Sequence, residues 1–576
     1  MTRTEACSLD FAGVSQMSTS ATEGFRWTRR DLAIVLAATL LSHLYIGFHY
    51  GLSAHAVQLV RVLRLNDPSL YPGDLFVDSL DQYCSWFWVV VAWLARFADL
   101  SWILVTSHVV SRWLLLAALF ELAARMFPER PVRYIALALA TFRLRPILAG
   151  EQLLTALPTH TTFAFPLLIW GLLLAWRGRA ISAAFLLGLG CNCNLMTGLP
   201  ATFIAAAGFA ISGRRHFLRS ATLGAAVWLV VSTPVLWWAA ATPAPDIDST
   251  TYYHTIRDLF WWHFDPLRWS TRVYVRWAGL LLTLAVGLIA TRRAHFRRPM
   301  VASLIAIAVT WITALIASRL PALGTLMRFQ LGRTAALAVV FSVPLVAGAV
   351  WQSWSRRGTR SVLVLIALAL GWSLSQGTTV TILVVSLAIV ADVRSGRSWL
   401  AAAIGKRSRR LAPVAGATIA LVILQGFTRA YVRGDRSGIL PRSAPASWRD
   451  VQTWACAHTP RTATFVAPIH VGGFRVFSHR PMWLEFDFDA MLWHPDLTGE
   501  IQRRWARLRR TGLTDSPLEH IDWTELHALA RDEGVDYAVC PVSTLADREP
   551  IYRNTNWAVI ELRNRAAPPG HRRNAG

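Results

Sequence analysis

The chain has 576 residues, 54% of them hydrophobic and only 16% charged, with a mean hydropathy of +0.38. A soluble globular chain carries about 25% charged residues, so a wholly soluble protein is excluded. The net charge of +24 does not indicate nucleic-acid binding, because the arginines stand in short tracts between apolar runs, as at Arg214/Arg215, Arg292/Arg293/Arg297/Arg298, Arg356/Arg357/Arg360 and Arg407/Arg409/Arg410. Cytoplasmic loops of multi-pass membrane proteins collect basic residues in this way.

In chain order, residues 1–30 are expected to be a polar cytoplasmic tail, held inside by Arg26, Arg29 and Arg30. Leu32–Phe48 reads as an uncleaved first span, since no small-residue cleavage site follows it. Residues 49–83 form an acidic first external loop with Asp67, Asp74, Asp78 and Asp81. Trp86–Leu94 falls short of the roughly 20 residues that cross a bilayer. Its aromatics suit an interfacial helix on the outer face. Trp102–Ala124, Tyr134–Leu148 and Thr161–Trp176 then cross in turn, with Arg125–Arg133 inside and Glu151–His160 outside. Ala180–Ile211 reads as a hairpin turning near Asn192, Asn194 and Pro200. Leu218–Ala239 leads to an external loop, Ala240–Arg272. Val273–Ala290 and Val301–Ile316 precede a further external loop, Ser318–Arg333. Ala335–Val350, Val362–Leu374, Val380–Val390 and Leu411–Phe427 follow. Residues 31–427 are therefore expected to be a transmembrane helical bundle of about 10–13 membrane segments, with basic connectors inside and long loops outside.

Residues 428–576 read as a soluble external domain. Ser447–Ala457 is a predicted helix with Ser447 as its N-cap. Thr464–Ala467 and Arg475–Phe477 are predicted strands, and Asp496–Arg510 an arginine-rich helix. Asp522 caps a helix to Glu533, which passes through Gly534 into the strand Tyr537–Pro541. Trp557–Leu562 is a last strand. The fold class is thus mostly α, a polytopic bundle followed by a small α/β domain. Cys456 and Cys540 are the only cysteines of that domain, and a disulfide between them is left open for an external location.

No phosphate-binding glycine loop, metalloprotease helix, nucleophile elbow or zinc spacing occurs, so those chemistries have no support in the residues. No cofactor is expected, and a divalent metal is left open although no pattern indicates one. The most informative stretch is Asn66-Asp67-Pro68-Ser69-Leu70-Tyr71-Pro72-Gly73-Asp74-Leu75-Phe76-Val77-Asp78. Carboxylates at the membrane surface, set between prolines and aromatics, are suited to a general base partly withdrawn from water. The plainer reading is a solvated acidic loop. Asn192 and Asn194 lie at membrane depth, where amides either join helices or face a polar cavity. Tryptophan totals 27, which suits the aromatic belts at both interfaces. Trp237-Trp238 and Trp261-Trp262 are also able to stack on a sugar or lipid headgroup.

The arrangement of first span, acidic first loop, multiple spans and C-terminal external α/β domain resembles the GT-C superfamily of integral membrane glycosyltransferases, which use polyprenyl-phosphate sugars. The loop Asp67–Asp81 matches in position their first external loop, although it has no strict D-x-D. Gly534-Val535-Asp536-Tyr537-Ala538-Val539 resembles a strand approach of their external domains. The runs Thr459–Phe465 and Gly473–Arg480 resemble a bacterial membrane-protein family of unknown function. The resemblance implies sugar transfer from a polyprenyl-phosphate-linked donor on the external face of the inner membrane. Its partners would be the lipid-linked donor, membrane lipids and an acceptor glycan, lipid or protein, and no nucleic acid. It places a catalytic acid in the loop, with Asp74 first, because Pro72 and Gly73 fix a turn that presents it, then Asp67; Asp78 lies beside them. Arg328 and Arg333 are the candidates for the donor phosphate, since guanidinium binds phosphate bidentately, while Arg333 is also suited to snorkelling. His254, Arg257 and Asp258 belong to another external loop and are candidates to line the same cavity. The alternatives are a transporter or flippase of lipid-linked substrates, and a membrane scaffold whose Arg503, Arg504, Arg507 and Arg510 bind an acidic partner.

Overall fold

The computed structural model describes residues 25–51, 55–141, 153–212, 217–242, 246–292, 294–355, 359–376, 446–485, 489–515, 518–545 and 547–563. The expected spans Val380–Val390 and Leu411–Phe427 lie outside them, as do the acid at Glu151 and both chain ends.

The helical part runs through α1 (Arg29–Ile46), α2 (His55–Asn66), α3 (Leu75–Ser79), α4 (Trp86–Leu94), α5 (Leu100–Met126), α6 (Arg130–Thr141), α7 (His160–Trp176), α8 (Ala180–Cys193), α9 (Leu195–Ala210) and α10 (Phe217–Ala241). It continues through α11 (Ser249–Leu259), α12 (Trp261–Phe264), α13 (Thr271–Ala290), α14 (Arg297–Ala317), α15 (Gly324–Met327), α16 (Ala335–Ser355) and α17 (Thr359–Gln376). Five of these helices are long and apolar enough to cross a membrane: α5, α10, α13, α14 and α16 with its preceding turn. The expected interfacial helix Trp86–Leu94 forms with those bounds. The loop 49–83 is more ordered than its sequence suggests, because α2 and α3 lie within it.

Helix starts follow from capping chemistry. Thr28 and Asp31 form a reciprocal capping box at α1, as do Thr159 and Thr162 at α7, which satisfies backbone N–H groups that have no partner within the helix. Asp99 accepts from Ser101 N and Trp102 N at the start of α5. Asn194 ends α8 and caps α9, accepting from Thr197 N at 3.2 Å, so the predicted hairpin turns at this residue. Its two helices close tightly at Gly198, where an added Cβ would fall 2.7 Å from the backbone Cα of Cys191.

The bundle is layered around α16, whose apolar window is 94% buried, whereas that of α10 is only 17% buried. An apolar helix that hides so little of itself in protein presents its surface to lipid.

At one end of the bundle sits a small domain with a four-stranded sheet, β1 (Phe465–Val466), β2 (Tyr537–Pro541), β3 (Tyr552–Arg553) and β4 (Trp557–Glu561), in the order β1-β2-β4-β3. β1 pairs parallel to β2 with Phe465 beside Tyr537; β4 runs antiparallel to both β2 and β3, with Val559 opposite Val539 and Tyr552. The helix Ala446–His458 covers this sheet through Trp448, Val451 and Ala455. Ser447 lies within its first turn and not before it. Asp522 caps Trp523–Glu533 as expected, and Gly534 ends that helix at φ 79°.

One expected strand is corrected, and the open question of a disulfide is answered. Arg475–Phe477 is not a strand but part of the helix Phe474–Ser478, bounded by Gly473 and His479 in the left-handed region at φ 75° and 52°; extended backbone cannot pass through those positions. Cys456 and Cys540 are free thiols, and Cys540 lies inside β2, its Sγ against Ala558 O.

Candidate active site

The first loop is tied to the C-terminal domain by buried charges. Asp74 caps α3 by accepting from Phe76 N and Val77 N, each at 3.2 Å. Its carboxylate also receives Arg475 in a bidentate pair, Nε to Oδ2 at 2.7 Å and Nη2 to Oδ1 at 3.0 Å. Met482 N donates to the same Oδ2 at 2.8 Å. Arg475 Nη1 reaches Glu485 at 3.1 Å, and Phe474 N donates to that second carboxylate. Tyr71 takes a left-handed backbone at φ 58°, with Gly73 at φ 72°, and its hydroxyl donates to Arg475 O. The predicted turn at Pro72-Gly73 therefore exists, but it presents Asp74 to the domain. With its side chain fully buried and both oxygens accepting, Asp74 has no lone pair facing a reacting group.

Asp67 is exposed and ion-pairs with Arg461 at 3.5 Å; the hydroxyl and N–H of Ser69 hold its carboxyl below the usual carboxylate range. Asp78 pairs with Arg64 at 3.5 Å, and partial burial raises its carboxyl despite that cation, with Asp74 and Asp81 adding to the rise. Asp81 is exposed at the end of the acidic run, and its backbone carbonyl accepts from Trp238 Nε1 at 3.0 Å.

Immediately after Asp81 the chain enters a cavity of about 350 Å³. Its walls come from four places: Gln82-Tyr83-Cys84 of the loop, His160 and Asn194-Leu195-Met196 at the ends of α7 and α9, Ala239 and Thr242 at the end of α10, and Arg328, Phe329, Leu492 and Trp493. Tyr83 is the hub. Its hydroxyl lies 3.1 Å from both ring nitrogens of His160, to which Gln58 Nε2 donates at 3.3 Å. Its ring meets Trp493 at 4.8 Å. Burial pushes its phenol up, so Tyr83 is a neutral hydroxyl at any physiological pH. Trp493 in turn donates to Ser79 Oγ at 3.2 Å, and Ser85 Oγ donates to Cys193 O at 2.7 Å. Asn194 Nδ2 donates to Thr161 Oγ1 at 2.7 Å. Loop, hairpin and domain therefore share one hydrogen-bonded wall.

Two cations serve this wall. Arg328 lines the cavity, its Nε donating to Leu492 O at 3.0 Å. Arg61 of α2 is buried, donates to Leu80 O and Tyr83 O, and stacks 4.8 Å from the Trp238 ring. Arg333 is half-buried in the turn before α16 and acts electrostatically on Tyr83. It is thus near the site but not among the lining residues. Among the described residues no cluster of His, Cys, Asp or Glu is arranged to hold a metal ion.

His254, Arg257 and Asp258 are not among the residues that line this cavity. They sit on α11, where His254 is exposed, Arg257 pairs with Asp265 at 3.6 Å and Asp258 with Arg268 at 2.8 Å. Amphipathicity turns the charges of this helix to its outer side, while Tyr252, Tyr253 and Ile256 pack inward. The arginine-rich helix Thr498–Arg510 is likewise paired within the domain, Arg503 with Glu500 and Glu533, Arg504 with Glu500, Arg507 with Asp532 and Glu533, and Arg510 with Glu525. Its basic face is already neutralised. Arg61, Tyr83, Cys84 and Trp493 were missed in the sequence; the signal for Arg61 was an arginine at mid-helix among apolar neighbours in a loop otherwise read as irregular.

The fold is an apolar helical bundle with a small sheet domain at one end. Solved structures that it resembles are ArnT from Cupriavidus metallidurans bound to undecaprenyl phosphate, at a TM-score of 0.46 and 15% identity over 94% of this chain and 98% of that one, and the arabinofuranosyltransferase AftD from mycobacteria, at 0.44 and 17% over 90% of this chain and 36% of AftD. No family model and no curated protein matches the chain. The likeness is one of fold, and the chemistry rests on the residues of the cavity.

Proposed function

We propose that the protein transfers a sugar from a polyprenyl-phosphate-linked donor to an acceptor, at the end of the bundle that carries the C-terminal domain and on the external face of the inner membrane. The observation that carries this reading is the cavity itself. It joins an arginine, Arg328, to apolar and aromatic walls, and one wall is the end of the lipid-facing helix α10. A phosphate joined to a long hydrocarbon needs that combination, a cation beside a surface continuous with lipid.

Arg328 would hold the donor phosphate, with Arg61 and Arg333 adding positive potential behind it. Tyr83, His160 and Asn194 offer neutral donors and acceptors for sugar hydroxyls. The general base falls to a first-loop acid, and Asp81 is favoured over Asp74 because it is exposed beside Gln82 at the cavity wall. Asp74 then serves by fixing the loop. Sugar transfer by purified protein in detergent, given polyprenyl-phosphate sugars and a membrane extract, tests the reading. Asp81→Asn is expected to lower kcat by a factor of about 10² or more, the usual contribution of a positioned base. Wild-type protein that transfers no sugar from any donor, while moving lipid-linked sugar across vesicles, would replace the transferase with the transporter.

A further inference from the structure

A second polar cluster lies inside the bundle between α1 and α5, formed by residues that do not line the cavity. Arg112, His108 and His43 are only 2%, 3% and 4% exposed. The two imidazoles meet edge to face at 5.7 Å. Arg112 Nη2 lies 3.0 Å from His108 Nε2 and donates to Thr155 O at 2.7 Å. His108 Nε2 also lies 3.0 Å from Thr155 O, and beyond these contacts the cluster has buried polar atoms without partners. Arg112 Nε and Nη1, His108 Nδ1 and both ring nitrogens of His43 have no hydrogen-bond partner among the described residues. Arg112 forms no ion pair with a carboxylate of the described residues.

A guanidinium carries five N–H donors and no acceptor, and each neutral imidazole adds one more. Thr155 O and the imidazole lone pairs are too few to receive them all. A buried positive charge without a counter-ion is costly, and within a membrane bundle an ionisable group of this kind marks a functional site. Donors from three adjoining side chains call for a ligand with several acceptor oxygens and negative charge. We infer that Arg112, His108 and His43 form a binding site for a phosphate-class oxyanion, either free phosphate or the phosphate of a lipid headgroup, separate from the Arg328 cavity.

The test uses the full-length protein in detergent, purified without phosphate. Its thermal midpoint is followed while sodium phosphate replaces sodium chloride at constant ionic strength, and phosphorus is measured in an organic extract of the same protein. Two results support the site. A rise of the midpoint with phosphate, with an affinity weakened at least tenfold by Arg112→Gln but kept in Arg328→Gln, identifies free phosphate. Extractable lipid phosphorus near one per chain, lost in Arg112→Gln and kept in Arg328→Gln, identifies a lipid. His43→Phe, which removes one donor and keeps ring volume, is expected to weaken binding in the same direction and serves if Arg112→Gln does not fold. A midpoint that responds equally to chloride and phosphate, together with equal extracted phosphorus in wild type and variants, overturns the site in favour of buried water. Binding lost in Arg328→Gln alone places the anion in the cavity and overturns it equally.

Discussion

Asp74 shows what a sequence conveys about one residue. The turn around Pro72 and Gly73 marks the position as special, and that part was legible. Its partner, Arg475, lies 401 residues away, and no local pattern links the two. A carboxylate so enclosed is structural in its first effect: Asp74→Asn leaves Arg475 buried with half its compensation. Breaking one side of a buried pair costs about 3–5 kcal/mol, so Asp74→Asn is expected to lower the denaturation midpoint substantially. Joining it with Arg475→Met should cost less than the sum of the two single changes, as measured by a double-mutant cycle. Asp81→Asn, by contrast, is expected to leave the midpoint unchanged while removing turnover. Arg328→Gln should mainly raise KM for the lipid-linked donor, read from initial rates. Glu500 supplies a pH test. Hydrogen bonds from Arg503 hold its carboxyl down at about 2, with Arg504 reinforcing and burial opposing. A depressed folded-state pKa gives stability that is complete above the unfolded value and lost as pH falls through the folded one. The domain's melting temperature should therefore decline from about pH 4.5 downward, and Glu500→Gln should flatten that decline.

At the scale of elements, most of the helices could be located from hydropathy and caps. The bounds of Trp86–Leu94 and the hairpin turn at Asn194 needed nothing beyond local chemistry. Elements governed by distant packing were harder to find. α2 lies in a loop whose acids suggested solvent, yet its His55 is fully buried, its Nε2 bonded to Pro158 O at 2.7 Å, and burial pushes that imidazole down to about 4. The helix Phe474–Ser478 looked like a strand because Val476 and Phe477 favour strands, and two left-handed residues override that preference. The α8–α9 hairpin gives an element-level prediction. Gly198→Ala would drive a methyl into the Cys191 backbone, which cannot yield as a side chain would. Overpacking of this kind costs about 1–3 kcal/mol. Because Asn194 sits at the apex, the change is expected to lower transfer activity as well as the unfolding midpoint, whereas Gly499→Ala, at an open position, should alter neither.

For the molecule as a whole, the sequence conveyed a membrane bundle with an α/β domain and a site between the external loops and that domain, but not which residues of the domain close the cavity. Leu492 and Trp493 of the domain close one wall of the cavity, and Trp493 bonds to Ser79 across 414 positions of chain. Hydropathy has no means of encoding such a closure. Hydrogen exchange is expected to report it, with amides of residues 70–83 strongly protected in the wild type and exposed in Arg475→Gln.

The clasp between Asp74 and Arg475 also sets an order in time. A ribosome delivers residue 74 long before residue 475, so the loop must wait through synthesis of the whole bundle without the cation that neutralises it or the hydroxyl acceptor that holds Tyr71 in its left-handed turn. The cavity wall closes only when the last fifth of the chain has emerged and docked. A nascent or truncated chain therefore lacks the closed cavity, and the proposed transfer would begin only after synthesis has run past the domain.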